Sequence, residues 1–350
     1  MIQTAIIGAG IGAEHLAGYR AFPELFEVTA ICDLDAARAK AIAGEIAIET
    51  DASVVLANPQ VDLIDICLPP HLHVQMTLAA LEAGKHVICE KPIATSLADV
   101  DRLQEAEART EGTVFPVFQY RFGRAMTQLD ALREAGLLGA PHLAALETHW
   151  ARRADYYAVP WRGTWAGEQG GAIVGHAIHA HDLLTHLFGD VAQVTAQMAT
   201  RINPIETEDC AALSFQMQNG ALATSSVTLG GSDDTTRMRL VFEHLTATSG
   251  KNPYAPMDQD WQFQARDSSD QRQVDHVVAG CAVGQAGFAG YLEQVARAIA
   301  GTENSAVRLT DGRRSVELIT AAYASARAGG APEACPVPQS HPLYEGWQPE

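Results

Sequence analysis

The chain has 350 residues, of which 47% are hydrophobic, and a formal net charge of −18 at pH 7. This length exceeds the usual size of a single hydrophobic core, so two domains are expected. The negative charge argues against nucleic acid as a partner, because phosphates would be repelled. No apolar run approaches the about 18 residues of a membrane span, and no secretory signal pattern opens the chain, so we expect a soluble, cytoplasmic protein.

The first motif is a glycine turn between a predicted strand, Thr4–Ile7, and a predicted helix, Ala13–Phe22. Its spacing, Gly8-x-Gly10-x-x-Ala13, matches the dinucleotide-binding fingerprint with its alanine option. In that fingerprint the first glycine permits the turn, the second admits a pyrophosphate, and the third small residue lets the helix pack on the strand. The N-terminus of the helix then offers N–H groups to the phosphates.

A second predicted strand, Phe26–Cys32, ends at Asp33, 20 residues after Ala13. A carboxylate at this place can accept both hydroxyls of an adenosine ribose, and it would repel a 2′-phosphate. The spacing therefore favours NAD, with NADP less favoured. The alternative is that Asp33 only caps the helix that begins near Asp35.

Strands and helices continue to alternate after Asp33, which predicts a parallel sheet with helices on both faces. An apolar strand at Leu63–Leu68 stops at Pro69-Pro70, and another at Lys85–Cys89 ends at Glu90-Lys91-Pro92. Ligands of such sheets bind beyond the carboxyl ends of the strands. The predicted cofactor contacts are Gly8, Gly10, Ile11, Gly12, Asp33, Leu68, Pro69, His71, His73, Glu90 and Lys91.

From about residue 142 the predicted strands are longer and alternate between apolar and polar residues, which is typical of an antiparallel sheet with one wet face. They span Val191–Thr200, Asp209–Met217, Gly220–Thr228, Thr236–Glu243 and Trp261–Ala265. Helices are predicted at Phe288–Ala300 and Asp311–Ala328. The fold class is therefore α/β, with a doubly wound parallel domain at residues 1–122 and an α+β domain with an open, mostly antiparallel sheet at 123–350.

The segment Gly170–Gly189 carries the densest group of titratable residues and predicts one helix that ends at Gly189. Helical spacing places His176, His179 and His186 on one side. A metal site is the alternative reading of these histidines. It is disfavoured because no cysteine or Glu-x-x-His partner accompanies them and the six cysteines form no C-x-x-C pair, so no metal is expected.

Oxidation of an alcohol needs a base for the hydroxyl proton and a donor for the developing alkoxide. Lys91, at a predicted strand end, can be that donor or base, and His179 titrates near pH 7 without special help. The alternative is that Lys91 is a solvated turn residue and His179 a structural one.

Together these residues resemble the glucose–fructose oxidoreductase and inositol dehydrogenase family (GFO/IDH/MocA), over nearly the whole chain. The resemblance depends on the glycine turn, Pro69-Pro70-His71-Leu72-His73, Ala83-Gly84-Lys85-His86-Val87-Ile88-Cys89-Glu90-Lys91-Pro92, Tyr120-Arg121-Phe122, Trp161-Arg162, and Gly170-Gly171 followed by His179-x-x-Asp182.

The resemblance implies a Rossmann domain, NAD(P), and oxidoreduction of sugars, inositols or related polyols. It also implies that Lys91 is the catalytic lysine, that His179 is the acid/base, and that the open sheet forms a homodimer or homotetramer. One departure is that Gly175 stands where many members carry an aspartate, four residues before the histidine. His176 could take part of that role, Lys91 and His179 could suffice, or the chemistry could differ.

The function expected from the sequence is NAD-dependent hydride transfer between a sugar-type or polyol-type hydroxyl and nicotinamide, with Lys91 and His179 as the acid/base pair. The expected substrate contacts are Lys91, Tyr120, Arg121, Trp161, Arg162, His176 and His179. The alternatives are a redox-neutral enzyme that hydrolyses or eliminates glycosides with retained NAD, and a non-enzymatic NAD-binding regulator. The sequence does not identify the individual sugar, polyol or lactone.

Overall fold

The structure, a computed structural model, describes residues 1–349 and contains two compact units. The first unit consists of Met1–Phe118 and Tyr291–Arg313, and the second consists of Gln119–Gly290 and the residues from Arg314 onward.

The first unit is built on a parallel sheet of six strands in the order β3-β2-β1-β4-β5-β6. The strands are β1 (Ile2–Ile7), β2 (Phe26–Cys32), β3 (Ala47–Glu49), β4 (Leu63–Ile66), β5 (His86–Cys89) and β6 (Val114–Pro116). The helices between them are α1 (Gly12–Arg20), α2 (Ala36–Ala43), α3 (Ala52–Ala57), α4 (His73–Glu82) and α5 (Leu97–Glu107). Every residue of β4 is buried, as expected for a strand covered on both faces, so the predicted doubly wound fold is confirmed.

The second unit is built on an eight-stranded sheet in the order β13-β12-β11-β7-β10-β9-β8-β14. Its strands are β7 (Pro141–Ala151), β8 (Val191–Ala199), β9 (Cys210–Met217), β10 (Leu222–Thr228), β11 (Gly230–Phe242), β12 (Leu245–Thr248), β13 (Gln262–Ala265) and β14 (Glu333–Ala334). The pairing is antiparallel except between β10 and β7. Burial alternates along β9 and β10, so the predicted mostly antiparallel sheet with one exposed face is confirmed.

The later helices are α6 (Arg124–Glu134), α7 (Ala172–Gly175), α8 (Ile178–Phe188), α9 (Gln271–Gly280), α10 (Gly287–Ile299) and α11 (Leu309–Arg327). Helices α10 and α11 each begin in one unit and end in the other. The C-terminal tail is held in the second unit. Its Trp347 is fully buried, stacks on Tyr323, and donates its indole N–H to the carbonyl oxygen of Gln169 at 2.7 Å.

Helix α2 ends at Ala43, because Gly44 has a positive φ of +62°, and β3 follows. One local prediction was wrong. The helix predicted to run unbroken from Gly170 to Gly189 is two helices, α7 and α8, separated at His176.

None of the helices within residues 1–349 combines the length and the apolar character that crossing a membrane requires. The six cysteines, all of them described, carry free thiols.

Candidate functional site

The carboxyl ends of four parallel strands meet at one edge of the first sheet. The registers pair Ile7 with Cys32 and with Ile66, and Ile66 with Cys89. The segments that follow these strands therefore emerge side by side. They are the glycine turn, Asp33, Leu68-Pro69 and Glu90-Lys91, which the sequence predicts as parts of one cofactor site.

The glycine turn has the geometry that a dinucleotide requires. Gly8 has φ of +105°, and a Cβ there would overlap the carbonyl oxygen of Cys67. At Gly12 a Cβ would lie 2.9 Å from Cγ2 of Ile6, so α1 packs on β1 through Gly12. The fingerprint predicts this packing at Ala13, but Ala13 is partly exposed, and the close contact is at Gly12.

Space is open on the outer side of the same turn. Among the described atoms none lies within 4 Å of a Cβ built on Gly10, and Ile11 is 47% exposed. Helix α1 begins directly after them, at Gly12. Backbone N–H groups and the positive end of the helix are therefore presented where a pyrophosphate could bind, and the turn fits the NAD that the fingerprint implies.

Asp33 is fixed beside the turn by the backbone. Its Oδ2 accepts the N–H of Ala9 and its Oδ1 accepts the N–H of Asp35, both at 2.8 Å. The residue that caps α2 is Asp35, whose carboxylate accepts the N–H groups of Ala37 and Arg38. The alternative that Asp33 is merely the helix cap is therefore excluded.

The two histidines predicted in the cofactor site differ in exposure. His71 is exposed, whereas His73 is fully buried. The Nδ1 of His73 lies 2.7 Å from the carbonyl oxygen of Pro92, and its Nε2 lies 2.7 Å from that of Leu68. Burial lowers the pKa of His73, and these two hydrogen bonds oppose that effect. The ring thus connects two loops of the edge, and both of its nitrogens contact backbone carbonyls.

Glu90 and Lys91 follow β5 directly. Both residues are partly exposed. Oε2 of Glu90 accepts the backbone N–H of Lys91 at 3.1 Å, and the Lys91–Pro92 peptide is cis. The backbone that carries the lysine is therefore held by the glutamate before it.

In the second unit, the segment Tyr120-Arg121 holds the helix that carries His179. The ring of Tyr120 stacks on the imidazole of His179 with centroids 4.6 Å apart. Nε and Nη2 of Arg121 bind the two oxygens of Asp182 at 2.7 and 2.5 Å, and both side chains are buried. The structure therefore places Arg121, a predicted substrate contact, in an ion pair that orients α8.

His176 lies outside that helix. Its Nε2 accepts an N–H from Nε of Arg152 at 3.2 Å, and its ring meets Trp150 edge-on at 5.2 Å. Arg152 also binds Asp234 at 2.9 Å. His176 therefore belongs to an aromatic and charged group of the second unit, while His179 faces Tyr120.

The other predicted substrate contacts lie near this group. The guanidinium of Arg162 lies 3.8 Å from the ring centroid of Tyr156 and 5.3 Å from that of Trp161. The ring of Tyr156 lies 5.8 Å from that of His176. Stacked aromatic and cationic groups of this kind suit a polyhydroxylated ligand that has an apolar face.

Glu168 is a further buried carboxylate that no sequence motif indicates. This side chain is 6% exposed, and its Oε2 accepts the N–H of Gly163 at 2.5 Å. Its Oε1 would lie 3.4 Å from a Cβ at Gly175, the position where the family resemblance implies a carboxylate. A buried carboxylate from another segment therefore faces that glycine, and only the three-dimensional structure reveals it.

We expect His181 to make the protein less stable in acid. His181 is 1% exposed, with Nε2 2.9 Å from Oγ of Ser225, and burial lowers its pKa to about 4. Because this pKa lies below the about 6.5 of an unfolded chain, the unfolded state binds the extra proton first. The stability contributed by neutral His181 is complete above about pH 6.5 and falls by about 3 kcal/mol as the pH drops to 4.

Urea unfolding at several pH values between 7.5 and 4 measures this effect. The variant His181→Gln, which cannot take up a proton, should show a flatter dependence of the free energy of unfolding on pH. Its control is His276→Gln, on the exposed side of α9, which should follow the wild type. Equal slopes for wild type and His181→Gln would contradict the prediction.

Comparison with known proteins gives the same family for both units. Residues 2–118 match the family described as oxidoreductase family, NAD-binding Rossmann fold, and residues 126–248 match the GFO/IDH/MocA C-terminal domain. The uncharacterized oxidoreductase YrbE of Bacillus subtilis is 32% identical over 233 residues, which are 63% of this chain and 65% of that protein. Inositol 2-dehydrogenase 3 of Saccharopolyspora erythraea is 28% identical over 312 residues, which are 83% of this chain and 89% of that protein.

The alignments with YrbE and two further curated relatives span 58–65% of those proteins. Among solved structures, the WlbA dehydrogenase from Bordetella pertussis, in complex with NADH and UDP-GlcNAcA, has a TM-score of 0.85 at 25% identity, covering 96% of this chain and 98% of that one. A levoglucosan dehydrogenase in complex with NADH has a TM-score of 0.81 at 21% identity, covering 96% of this chain and 99% of that one, and is alike in fold. The chain belongs to the GFO/IDH/MocA family of NAD-binding oxidoreductases.

Proposed function

We propose that the protein is an NAD-dependent dehydrogenase that transfers hydride between a sugar-type or polyol-type hydroxyl and nicotinamide. The observation that carries this proposal is the strand edge of the first unit, where the registers bring the glycine turn, Asp33 and Lys91 together. Relatives named as inositol dehydrogenases support a polyhydroxylated substrate.

The chain supplies the proton chemistry. When bound, NAD would supply the acceptor of the hydride. In this proposal the ammonium of Lys91 donates to the oxygen on which charge develops, and His179 takes the hydroxyl proton. Stacking on Tyr120 and the anchoring of Asp182 by Arg121 restrict the motion of His179. His176 is better suited to lining the substrate pocket than to acting as a base, because its Nε2 already accepts an N–H from Arg152.

The test is a panel of polyols, sugars and lactones incubated with the protein and NAD, with NADH absorbance as the readout. We expect NADH with at least one member of the panel. If no member of any class gives NADH, the dehydrogenase proposal is wrong. Glycoside cleavage without net NADH would instead indicate the redox-neutral alternative.

We propose that Asp33 makes the enzyme prefer NAD over NADP. Replacing Asp33 by serine removes a charged acceptor for the ribose hydroxyls, which contributes about 1.5–3 kcal/mol. Binding of NAD should weaken about tenfold or more, and the ratio of NADP to NAD affinity should rise. Arg38 is exposed, and its Nη1 lies 3.8 Å from Oδ2 of Asp33. In the variant, its guanidinium could donate hydrogen bonds to the 2′-phosphate of NADP.

Cofactor titration by fluorescence measures both affinities. Asp35→Ser is the matched control, because serine still caps α2 and the carboxylate beside the turn remains. The prediction does not hold if Asp33→Ser keeps the preference of the wild type, or if Asp35→Ser changes it equally.

We propose that the exposed face of the second sheet joins subunits into a homodimer or homotetramer. The face presents small or uncharged side chains over adjacent strands, among them Thr195, Ala212, Ser214, Thr224 and Ser226. Such a flat surface can meet its own copy about a twofold axis. Sedimentation should give two or four times the mass of the chain, and Ser214→Arg should lower that mass. A monomeric wild type would contradict the proposal.

A further inference from the structure

A buried histidine links the helix after the glycine turn to the strand end that carries Lys91. His15 lies on α1 and is 4% exposed. Its Nδ1 lies 2.9 and 3.1 Å from the two carboxylate oxygens of Asp65, a fully buried residue of β4. Its Nε2 lies 3.2 Å from Oε1 of Glu90, whose other oxygen accepts the N–H of Lys91. The function proposed above uses neither His15 nor Asp65.

Both nitrogens of His15 face carboxylates, which indicates an imidazolium. A neutral imidazole has a single N–H and could donate to only one of the two acceptors. Burial alone would lower the pKa of His15, but the charge of Asp65 and its hydrogen bond raise it well above the ordinary value. The thiol of Cys67, 3.2 Å from Nδ1, has a pKa raised to about 12 by burial and is neutral at pH 7.

Three weakly acidic side chains lie near this group. Tyr19 of α1 and Tyr291 of α10 lie near Asp65, and Cys89 of β5 lies near Glu90. Burial raises the pKa of all three well above their ordinary values, so they are neutral at pH 7. They therefore add no charge to the imidazolium of His15 and the carboxylates of Asp65 and Glu90.

His15, Asp65 and Cys67 carry side chains of the kinds that ligate metals. Their ligand atoms lie within 4.8 Å of one another. The spacings fit hydrogen bonds better. Nδ1 cannot donate a proton to Asp65 and bind a metal at once, and Nε2 is turned towards Glu90.

We propose that His15 is a positioning residue for Lys91: held by Asp65, its imidazolium fixes the carboxylate of Glu90, and Glu90 in turn fixes the backbone of the lysine. This inference rests on the catalytic role proposed for Lys91. Without the imidazolium, Glu90 loses the hydrogen bond from Nε2 of His15 to its Oε1, and that contact no longer holds the carboxylate in place. The lysine would then leave its productive position, and a displacement of 1 Å can cost about 100-fold in rate.

The first experiment reads the wild-type protein directly. Nitrogen NMR of protein carrying ¹⁵N-labelled histidine shows whether one or both nitrogens of a ring bear protons, and the His15 signal is the one missing from His15→Gln. We expect both nitrogens protonated at pH 7 and remaining so above the ordinary pKa of histidine. A ring with one unprotonated nitrogen at pH 7, or a stoichiometric metal found by elemental analysis, would overturn the proposal.

The second experiment compares His15→Gln with His86→Gln, which alters a histidine at the other end of β5. His15→Gln should lower kcat about tenfold or more, with the KM of the substrate and NADH binding changed less than about threefold. His86→Gln should behave as the wild type. An unchanged kcat in a folded His15→Gln protein would refute the positioning role.

A third readout does not need a substrate. The rate at which an amine reagent modifies Lys91, followed by peptide mass spectrometry, should change in His15→Gln but not in His86→Gln, with Lys40 and Lys251 as references. If the polyol panel gives no NADH, the dehydrogenase proposal fails while this rate still tests the link between His15 and Lys91. An unchanged rate would contradict that link even if the enzyme is a dehydrogenase.

Discussion

Replacing Lys91 by methionine should lower kcat about 10³-fold while NADH still binds. Methionine keeps the length of the side chain and removes only the charge and the donors. Loss of one donor to a developing oxyanion costs about 10²–10³ in kcat, and loss of an acid or base costs about 10²–10⁴. Single-turnover NADH formation gives the rate, and fluorescence titration gives NADH affinity on the same preparation.

Lys251→Met is the matched control, since Lys251 is exposed and lies in the second unit. It should retain the rate of the wild type. A Lys91→Met protein that keeps kcat within about threefold would show that Lys91 has no part in the chemistry. Loss of NADH binding along with the rate would mean that the lysine mainly holds the cofactor.

Strands β2 and β4 could be predicted because β4 is buried throughout and β2 is buried over its last three residues. The prediction Phe26–Cys32 agrees with β2 residue for residue, and Leu63–Leu68 contains β4. A strand covered on both faces must be apolar along its length, and a single sequence shows that directly.

Elements with little buried surface escaped prediction. Helix α9 buries only Val274 and is not among the helices predicted from the sequence. Strand β14 has two residues and exists through its pairing with β8. Weakly amphipathic or very short segments are formed by tertiary contacts, which local periodicity does not record.

In the candidate site, too, local features could be predicted and long-range contacts could not. Motifs whose residues are neighbours in the sequence, such as the glycine turn, indicated the local backbone geometry. Contacts between residues that are distant in the chain could not be predicted: Asp65 is 50 residues from His15, and Glu90 is 75 residues from it. The start of α7 also depends on a distant residue, since the N–H groups of Ala172 and Ile173 donate to Glu208.

The ion pair of Arg121 and Asp182 should be the most costly polar contact of the second unit to break. The side chains are 6% and 1% exposed, and the pair is bidentate. Removing one partner leaves the other charge buried without its bidentate contact, and breaking a buried pair in this way typically costs about 3–5 kcal/mol. We expect Arg121→Met and Asp182→Leu each to lower the free energy of unfolding by that amount, measured in urea. As a control, Asp130→Ala breaks an ion pair whose side chains are each 46% exposed, and should cost below about 1 kcal/mol.

The double variant Arg121→Met with Asp182→Leu separates stability from function. An apolar pair of similar volume can replace a buried ion pair at little cost, so the double variant should be more stable than either single variant. Its activity should nevertheless stay low, because the bidentate contact fixes the angle between α8 and the turn whose Tyr120 stacks on His179. Single variants that each lose less than 1 kcal/mol would show that the pair is solvated. A double variant with full activity would show that packing alone aligns His179.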